Sequence, residues 1–365
     1  MFNKLKRRIK EAGYNIVAKG IAQWYENNEV FLQEKASVSN LDYIYNKEKE
    51  SVLKRAYDWH IWTKDFFIND LIKNKEDFEG IYSMMADDES KKVFDWLIAY
   101  RSLMPIFGDT GLWDTFAPCL LYNLLPCTTS VSDFKETFPI AVRNKENYCL
   151  HMDDLSIWHT FILEQYRYDD LFQIKEGFVV FDLGGYKGDT ALYFSKFIGD
   201  TGKIFSFEVE NYNVDSMKTN FEHFNINNVE IVEKVVSDVI GVVSFEGWGA
   251  AGYVAIDKGR VKVESTTIDD FVSLRQDITN LDIIKMDIEG SELAALKGAR
   301  ETLKKFKPIL LIAVYHWDRD GIYGYGDFIP VCKYMNEMYG GDYSFYLRHK
   351  NCGRGETLLV CVSKK

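Results

Sequence analysis

Residues 177–190 constrain the fold more tightly than any other stretch of the chain. Gly177-Phe178-Val179-Val180-Phe181-Asp182 is a short, continuously apolar run ending in an acid, as expected of a strand buried on both faces. Leu183-Gly184-Gly185-Tyr186-Lys187-Gly188 follows, and Asp189 to Phe197 then reads as a helix with Gly199 past its end. A buried strand that turns through glycines directly into a helix is one unit of a parallel sheet. The unit repeats. Lys203–Glu208 reads as a second strand, Asn213–Phe224 as a helix and Val229–Val236 as a third strand. Residues 241–268 mix glycines with alternating apolar residues, which predicts an inserted antiparallel hairpin. Leu281–Met286, a long helix over Glu289–Phe306 and Ile309–Tyr315 continue the alternation. After a helix over Phe328–Met338, Ser344–Leu347 and Thr357–Val362 are expected to close the sheet as an antiparallel pair. Residues 171–365 are therefore expected to form an α/β domain. Its sheet is Rossmann-like and doubly wound, mostly parallel with an antiparallel final strand.

Residues 1–170 have a different character and predict a mainly α-helical domain. Ser51–Leu71 is free of Gly and Pro, and Asp87–Leu103 places Val93, Phe94, Trp96, Leu97, Ala99 and Tyr100 at helical spacing. Asp88 or Ser90 can cap that second helix, and Pro105 and Gly108 break the pattern after it. Ser130-Val131-Ser132-Asp133 starts another helix after Pro126. No catalytic constellation stands out in this half. It is read as serving acceptor recognition or oligomerisation.

The net charge of −11 argues against nucleic acid as the main partner, because neutralising phosphates needs a surplus of Lys and Arg. Cys119, Cys127, Cys149, Cys332, Cys352 and Cys361 form no CxxC pair and no zinc-spaced cluster, so reduced thiols are expected. No stretch approaches the ~20 apolar residues of a transmembrane helix. The basic start, Met1 to Lys10, has no apolar run behind it, so it reads as no secretory signal. A cytoplasmic protein is expected, with peripheral contact at an anionic membrane left open.

Four strand ends carry the chemistry, since an open α/β sheet binds its ligands at the carboxyl ends of its strands. At the first, Gly184 and Gly188 permit a sharp bend and a close backbone approach. The spacing is neither GxGxxG nor a P-loop, which argues against a nicotinamide oxidoreductase. Asp182 is placed to meet the ammonium of a ligand with an amino-acid tail. Gly185, Tyr186 and Thr190 complete this loop, and Glu208, one βαβ step on, can accept hydrogen bonds from both ribose hydroxyls. Ser237 and Asp238, after the third strand, are the remaining cofactor-binding candidates. At the fourth strand Asp287 is expected to point into the crevice. Glu289 and Glu292 fall in a first helical turn, where acids also complement the helix dipole. At the fifth, His316 reaches the same crevice and can act as a general base, oriented by Asp320 or Asp318. Asp287, His316 and Asp320 are the catalytic candidates. A divalent metal on Asp287 and Glu289 is the alternative.

Together these residues resemble the FkbM-type methyltransferases, in a bacterial long form with an N-terminal helical domain. The likeness runs roughly from Glu164 to Val362. It rests on VVFDLGGYKGDT (179–190), FSFE (205–208), TTIDDF (266–271), IIKMDIEGSELAALKGARETL (283–303) and PILLIAVYH (308–316). Tyr346-Leu347-Arg348-His349 with Glu356-Thr357, and more weakly Met85 to Lys91 upstream, extend it. The resemblance implies a class I methyltransferase fold and S-adenosylmethionine as cofactor. It also implies an O-methyltransferase acting on a small-molecule or glycan acceptor, as in polysaccharide biosynthesis. By position it implies that Asp182, Gly184 and Gly188 hold the methionine part and Glu208 the ribose. The chain departs from the family at Ala313, where many members carry Glu, and at Lys187, where a small residue is usual. A non-catalytic binding module on the same fold is the rival reading. Whether the chain forms a homo-oligomer stays open.

Overall fold

The computed structural model describes residues 74–94, 97, 156–246, 253–255, 261–316, 328–350 and 356–364. The helices expected at 51–71 and from Ser130, the basic stretch 1–10, Cys119, Cys127, Cys149, Cys352, Asp318 and Asp320 lie outside these residues.

The first described helix is α1 (Lys75–Met84), with residues 88–94 helical after it and one π-helical stretch at Ile157–Ile162. The α/β alternation then begins. β1 (Val179–Leu183) leads through Gly188 into α2 (Asp189–Ile198), and β2 (Lys203–Phe207) into α3 (Asn211–His223), followed by β3 (Val229–Val232). β4 (Val235–Val236), β5 (Gly241–Glu246), β6 (Tyr253–Ala255) and β7 (Val261–Thr266) come next. The helix α4 (Ile268–Ser273) follows, its N-terminus capped by the Thr267 hydroxyl, which accepts the Asp270 N–H at 3.0 Å. The rest is β8 (Ile283–Met286), α5 (Glu292–Lys297), α6 (Arg300–Phe306), β9 (Ile309–Ala313), α7 (Phe328–Tyr339), β10 (Tyr343–His349) and β11 (Thr357–Ser363).

Seven strands form one sheet in the order β3-β2-β1-β8-β9-β11-β10. The pairs from β3 to β9 are parallel, while β11 runs antiparallel to β9 and to β10. This is the expected mostly parallel sheet with an antiparallel end. The order reverses between β1 and β8. With right-handed crossovers the reversal puts α2 and α3 on one face and α5 and α6 on the other, opening a crevice at that point. Every residue of β1, β8 and β9 except Ile309 is buried, which explains their continuous apolar runs.

Two expectations are corrected, and the antiparallel pairing expected at 241–268 is present within a larger sheet. The single strand Val229–Val236 is two strands, because the chain leaves the main sheet at Glu233-Lys234 and β4 joins a second sheet. The expected hairpin is part of that second sheet, ordered β4-β7-β5-β6, with β5 antiparallel to both neighbours. The long helix Glu289–Phe306 starts only at Glu292 and breaks at Gly298. There a Cβ would stand 2.4 Å from the Ser237 carbonyl oxygen, so helix and chain meet too closely for a side chain.

The upstream residues share the core of the sheet. Phe78, Ile81, Phe94, Phe161 and Tyr166 belong to one apolar cluster with β1, β8 and β9. Met85 pairs with Phe345 beside the outer strand β10, and the Ala86 N–H reaches the Phe345 carbonyl at 2.9 Å. The Ser90 hydroxyl oxygen accepts the Leu347 N–H at 3.0 Å and Arg348 Nη1 at 2.9 Å. Arg348, 1 % exposed, also pairs with Asp87 at 2.7 Å and Asp170 at 3.1 Å. A buried guanidinium needs such partners. Among the described residues no helix is long and apolar enough to cross a membrane. Cys332 and Cys361 are buried free thiols.

Candidate active site

The crevice lies where the strand order reverses, a cavity of about 180 Å3. Its floor is the glycine loop after β1. Gly184 has φ +81 and Gly188 φ +85, both left-handed, so the bend read from the sequence uses the freedom only glycine has. A Cβ on Gly184 would lie 2.0 Å from the Asp287 carbonyl oxygen, which sets how closely β1 and β8 approach at their ends. Gly184, Tyr186 and Thr190 line the crevice. Gly185 and Gly188 are packing positions instead: a Cβ there would meet the Ser206 hydroxyl at 2.2 Å and the Phe221 ring at 2.8 Å.

Glu208, just past β2, lines the crevice. Its Oε1 accepts the N–H of Val209 at 2.7 Å and of Glu210 at 2.9 Å, and Oε2 accepts Asn213 Nδ2 at 3.3 Å. The carboxylate is thus anchored at the start of α3. Burial raises its pKa to about 7 against these hydrogen bonds.

Asp182 is fully buried and is not among the residues lining the crevice. Its carboxylate stands 3.1 Å from Lys285 Nζ and accepts the Ser206 hydroxyl at 2.8 Å. Lys285, which does line the crevice, also donates to the carbonyl of Gly184 at 2.7 Å and of Leu183 at 3.3 Å. Burial alone would lower the Lys285 pKa, but the carboxylates of Asp182, Asp287 and Asp189 raise it. Asp182 therefore meets the loop through Lys285. Ser237, which is buried, and Asp238, which is exposed, are not crevice-lining residues either.

Beyond β8 three acids gather around His316. Asp287 and Glu289 line the crevice, while His316, 6 % exposed, is buried beside them. His316 Nε2 lies 3.1 Å from Asp287 Oδ1 and 3.5 Å from Glu289 Oε1, and Nδ1 lies 3.1 Å from Glu292 Oε1. Glu292 also accepts the N–H of Ile288 at 2.8 Å and of Gly290 at 3.0 Å, so it ties down the turn between β8 and α5 rather than capping the helix it starts. Asp287 accepts hydroxyls from Tyr166 at 3.0 Å and Tyr315 at 3.1 Å. Burial would raise the Asp287 pKa, yet His316, Lys285 and Tyr166 hold it well below the carboxylate range. Burial would likewise lower His316, and the carboxylates of Glu292, Asp287 and Glu289 raise it well above its ordinary value. Three carboxylates around one imidazole favour positive charge at this point of the wall.

Sequence reasoning missed one wall. Ser156, His159, Thr160, Gln165 and Tyr166 line the crevice from the segment before β1, and Glu356 completes it beside His159, 3.3 Å away. The Lys285 pairing was also missed, although a lysine inside the apolar run Ile283-Ile284-Lys285-Met286 signals a buried charge that must have a partner.

Residues 182–345 match the family model described as the methyltransferase FkbM domain. The crystal structure of methyltransferase FkbM from Methylobacillus flagellatus KT is similar in fold, at 17 % identity and a TM-score of 0.52 over 81 % of this chain. This chain spans 62 % of that protein's length. At lower similarity stand Aeropyrum pernix fibrillarin with natively bound S-adenosyl-L-methionine (14 % identity, TM-score 0.33, 52 % of this chain and 69 % of that one). S-adenosylhomocysteine-bound Podospora anserina methyltransferase PaMTH1 is comparable (11 % identity, TM-score 0.35, 64 % and 87 %). No curated protein matches the sequence.

Proposed function

We propose, from the premise that residues 182–345 form an FkbM-type methyltransferase domain, that this chain transfers the methyl group of S-adenosylmethionine to a hydroxyl of a sugar or glycan precursor. The observation that carries the reading is the anchored Glu208 carboxylate at one end of a crevice whose other end holds Asp287 and Glu289. The residues fit the cofactor. Glu208 suits a ribose diol, Val235, Val236 and Phe245 offer an apolar wall to a purine, and the Gly184–Tyr186 backbone with Thr160 and Gln165 suits an amino-acid tail. Asp182 supports that end indirectly, by fixing Lys285 against the loop.

S-adenosylmethionine supplies an electrophilic methyl group on a sulfonium. The protein's part is to align the acceptor oxygen with that methyl, and positioning of this kind is worth up to ~7–11 kcal/mol of a barrier. When bound, the cofactor would supply the methyl and its sulfur would leave as the thioether, while the crevice-lining carboxylates of Asp287 and Glu289 would take the acceptor's proton. His159, Gln165, Ser291, Tyr315 and Glu356 give the crevice the dense hydrogen-bonding lining that a polyhydroxylated acceptor needs. Asp320 remains a proposed partner of the cluster on sequence grounds.

Calorimetric titration tests the cofactor. S-adenosylhomocysteine is expected to bind with micromolar Kd, NADH not to bind, and Glu208→Gln to weaken the former by about tenfold, since a lost charge-assisted hydrogen bond is worth about 1.5–3 kcal/mol. A folded protein that binds none of these would make the domain a non-catalytic recognition module.

The same carboxylate predicts a pH dependence. Only ionised Glu208 offers all its lone pairs to a diol, and its pKa stands near 7 in the free protein. Affinity should therefore rise between pH 6 and 8 and level off above, with proton release on binding. Raising a carboxyl's pKa stabilises the free protein below its unfolded value and withdraws that stability as pH climbs through about 7. Titrations at three pH values check this, and Glu208→Gln should flatten the curve.

A further inference from the structure

We propose that Asp287, Glu289 and His316 form a binding site for one divalent transition-metal ion in the wall of the crevice. Their donor atoms lie within 4.8 Å of one another. Ligands stand about 2.0–2.2 Å from such an ion, which puts neighbouring donors roughly 3–3.5 Å apart. His316 Nε2 is 3.1 Å from the Asp287 oxygen and 3.5 Å from the Glu289 oxygen. Yet this nitrogen, on a side chain 6 % exposed, has no hydrogen-bond partner: the oxygens are near enough but wrongly angled for an N–H. The arrangement has the distances of shared coordination without the directions of a hydrogen bond.

The surroundings fix it. Glu292, with two backbone N–H bonds of its own, is the acceptor for the Nδ1 proton of His316. That contact leaves Nε2 facing two carboxylates, a donor set that favours a cation between them. A carboxylate that holds the far nitrogen of a metal-bound histidine is the usual support of such sites. The hydroxyls of Tyr166 and Tyr315 orient Asp287 in the same way. One imidazole and two carboxylates suit Mn2+, Fe2+ or Zn2+ better than Ca2+ or Mg2+. Asp287 and Glu289 line the crevice while His316 is buried, so the remaining coordination positions face the acceptor. An ion there would acidify an acceptor hydroxyl bound to it. That catalytic use rests on the methyl-transfer reading above; the binding itself does not.

The test is titration of the full chain with Mn2+, free of nucleoside ligands, followed by electron paramagnetic resonance, with Zn2+ as competitor. One Mn2+ per chain is expected, displaced by Zn2+, with a nitrogen coupling from a single imidazole. Glu289→Gln, at a partly exposed position, should weaken binding by about tenfold or more without changing the metal-free Tm. His316→Gln should abolish the nitrogen coupling. If neither ion binds, or if Glu289→Gln leaves the Kd unchanged and no nitrogen coupling appears, the site is overturned. Parallel titration with S-adenosylhomocysteine separates the two readings. Its binding without metal binding removes this site alone, and metal binding without it removes the methyl-transfer reading alone.

Discussion

Replacing Lys285 with methionine should cost the fold about 3–5 kcal/mol and lower Tm by roughly 10 °C. Lys285 and Asp182 sit on neighbouring parallel strands in direct register, 3 % and 0 % exposed in their side chains, with Nζ 3.1 Å from the carboxylate. Methionine keeps the volume of the aliphatic stem but leaves the Asp182 charge buried with only the Ser206 hydroxyl to meet it. The Gly184 carbonyl loses its 2.7 Å bond from Lys285 as well, while the Leu183 carbonyl keeps the Asp287 N–H. Urea unfolding of three proteins decides the origin of the loss. The double variant Asp182→Asn/Lys285→Met should regain a large part of the stability, because no charge is then stranded. If it is as unstable as Lys285→Met, the cost lies in packing and the ion pair is not what holds this strand end.

Gly184→Ala should be the most damaging single methyl group in the crevice. A non-glycine residue at φ +81 costs about 1–3 kcal/mol by conformation alone. The added Cβ would also stand 2.0 Å from the backbone oxygen of Asp287, which cannot rotate away as a side chain would. Either β1 parts from β8 at the crevice or the loop shifts. Both outcomes move Tyr186 and Asp287 together, so cofactor affinity is expected to fall by at least about tenfold, as ~1 Å misplacements in aligned sites do. Gly241→Ala, at φ +141 with open space around it, is the control for backbone conformation without collision. Equal stability losses in the two variants would show that the Gly184–Asp287 approach is looser than drawn.

Much of this was legible because it is local. A run such as Val179–Leu183 announces burial on both faces, and Gly184 and Gly188 announce the turn, without knowledge of any distant residue. Glu208 followed from one strand–helix step. What escaped notice depends on register or on approach between remote segments. Lys285 finds Asp182 only because β1 and β8 pair with those residues opposite one another, 103 positions apart in sequence. Gly298 has no room for a side chain because the Ser237 carbonyl lies against it, which no helical periodicity records. Tyr166 comes from a segment without clear pattern and reaches Asp287 across 121 positions. His316 is buried just behind Asp287 and Glu289, and its three carboxylate neighbours come from the turn after β8 and from α5, so the company that sets its charge could not be read beside it.

The contact of Met85, Ala86 and Ser90 with β10 bears on how this protein can be divided. A boundary at residue 170 follows the change in composition, yet β10 is the last strand of the main sheet, and those upstream residues occupy its outer N–H and C=O groups at Phe345 and Leu347. Excising 171–365 would strip that seal. The fragment would present an open strand edge beside an Arg348 deprived of Asp87, Ser90 and Asp170, and bare edges of that kind recruit other chains. A piece that keeps this edge covered is therefore expected to begin before α1, well upstream of the first crevice-lining residue, Ser156.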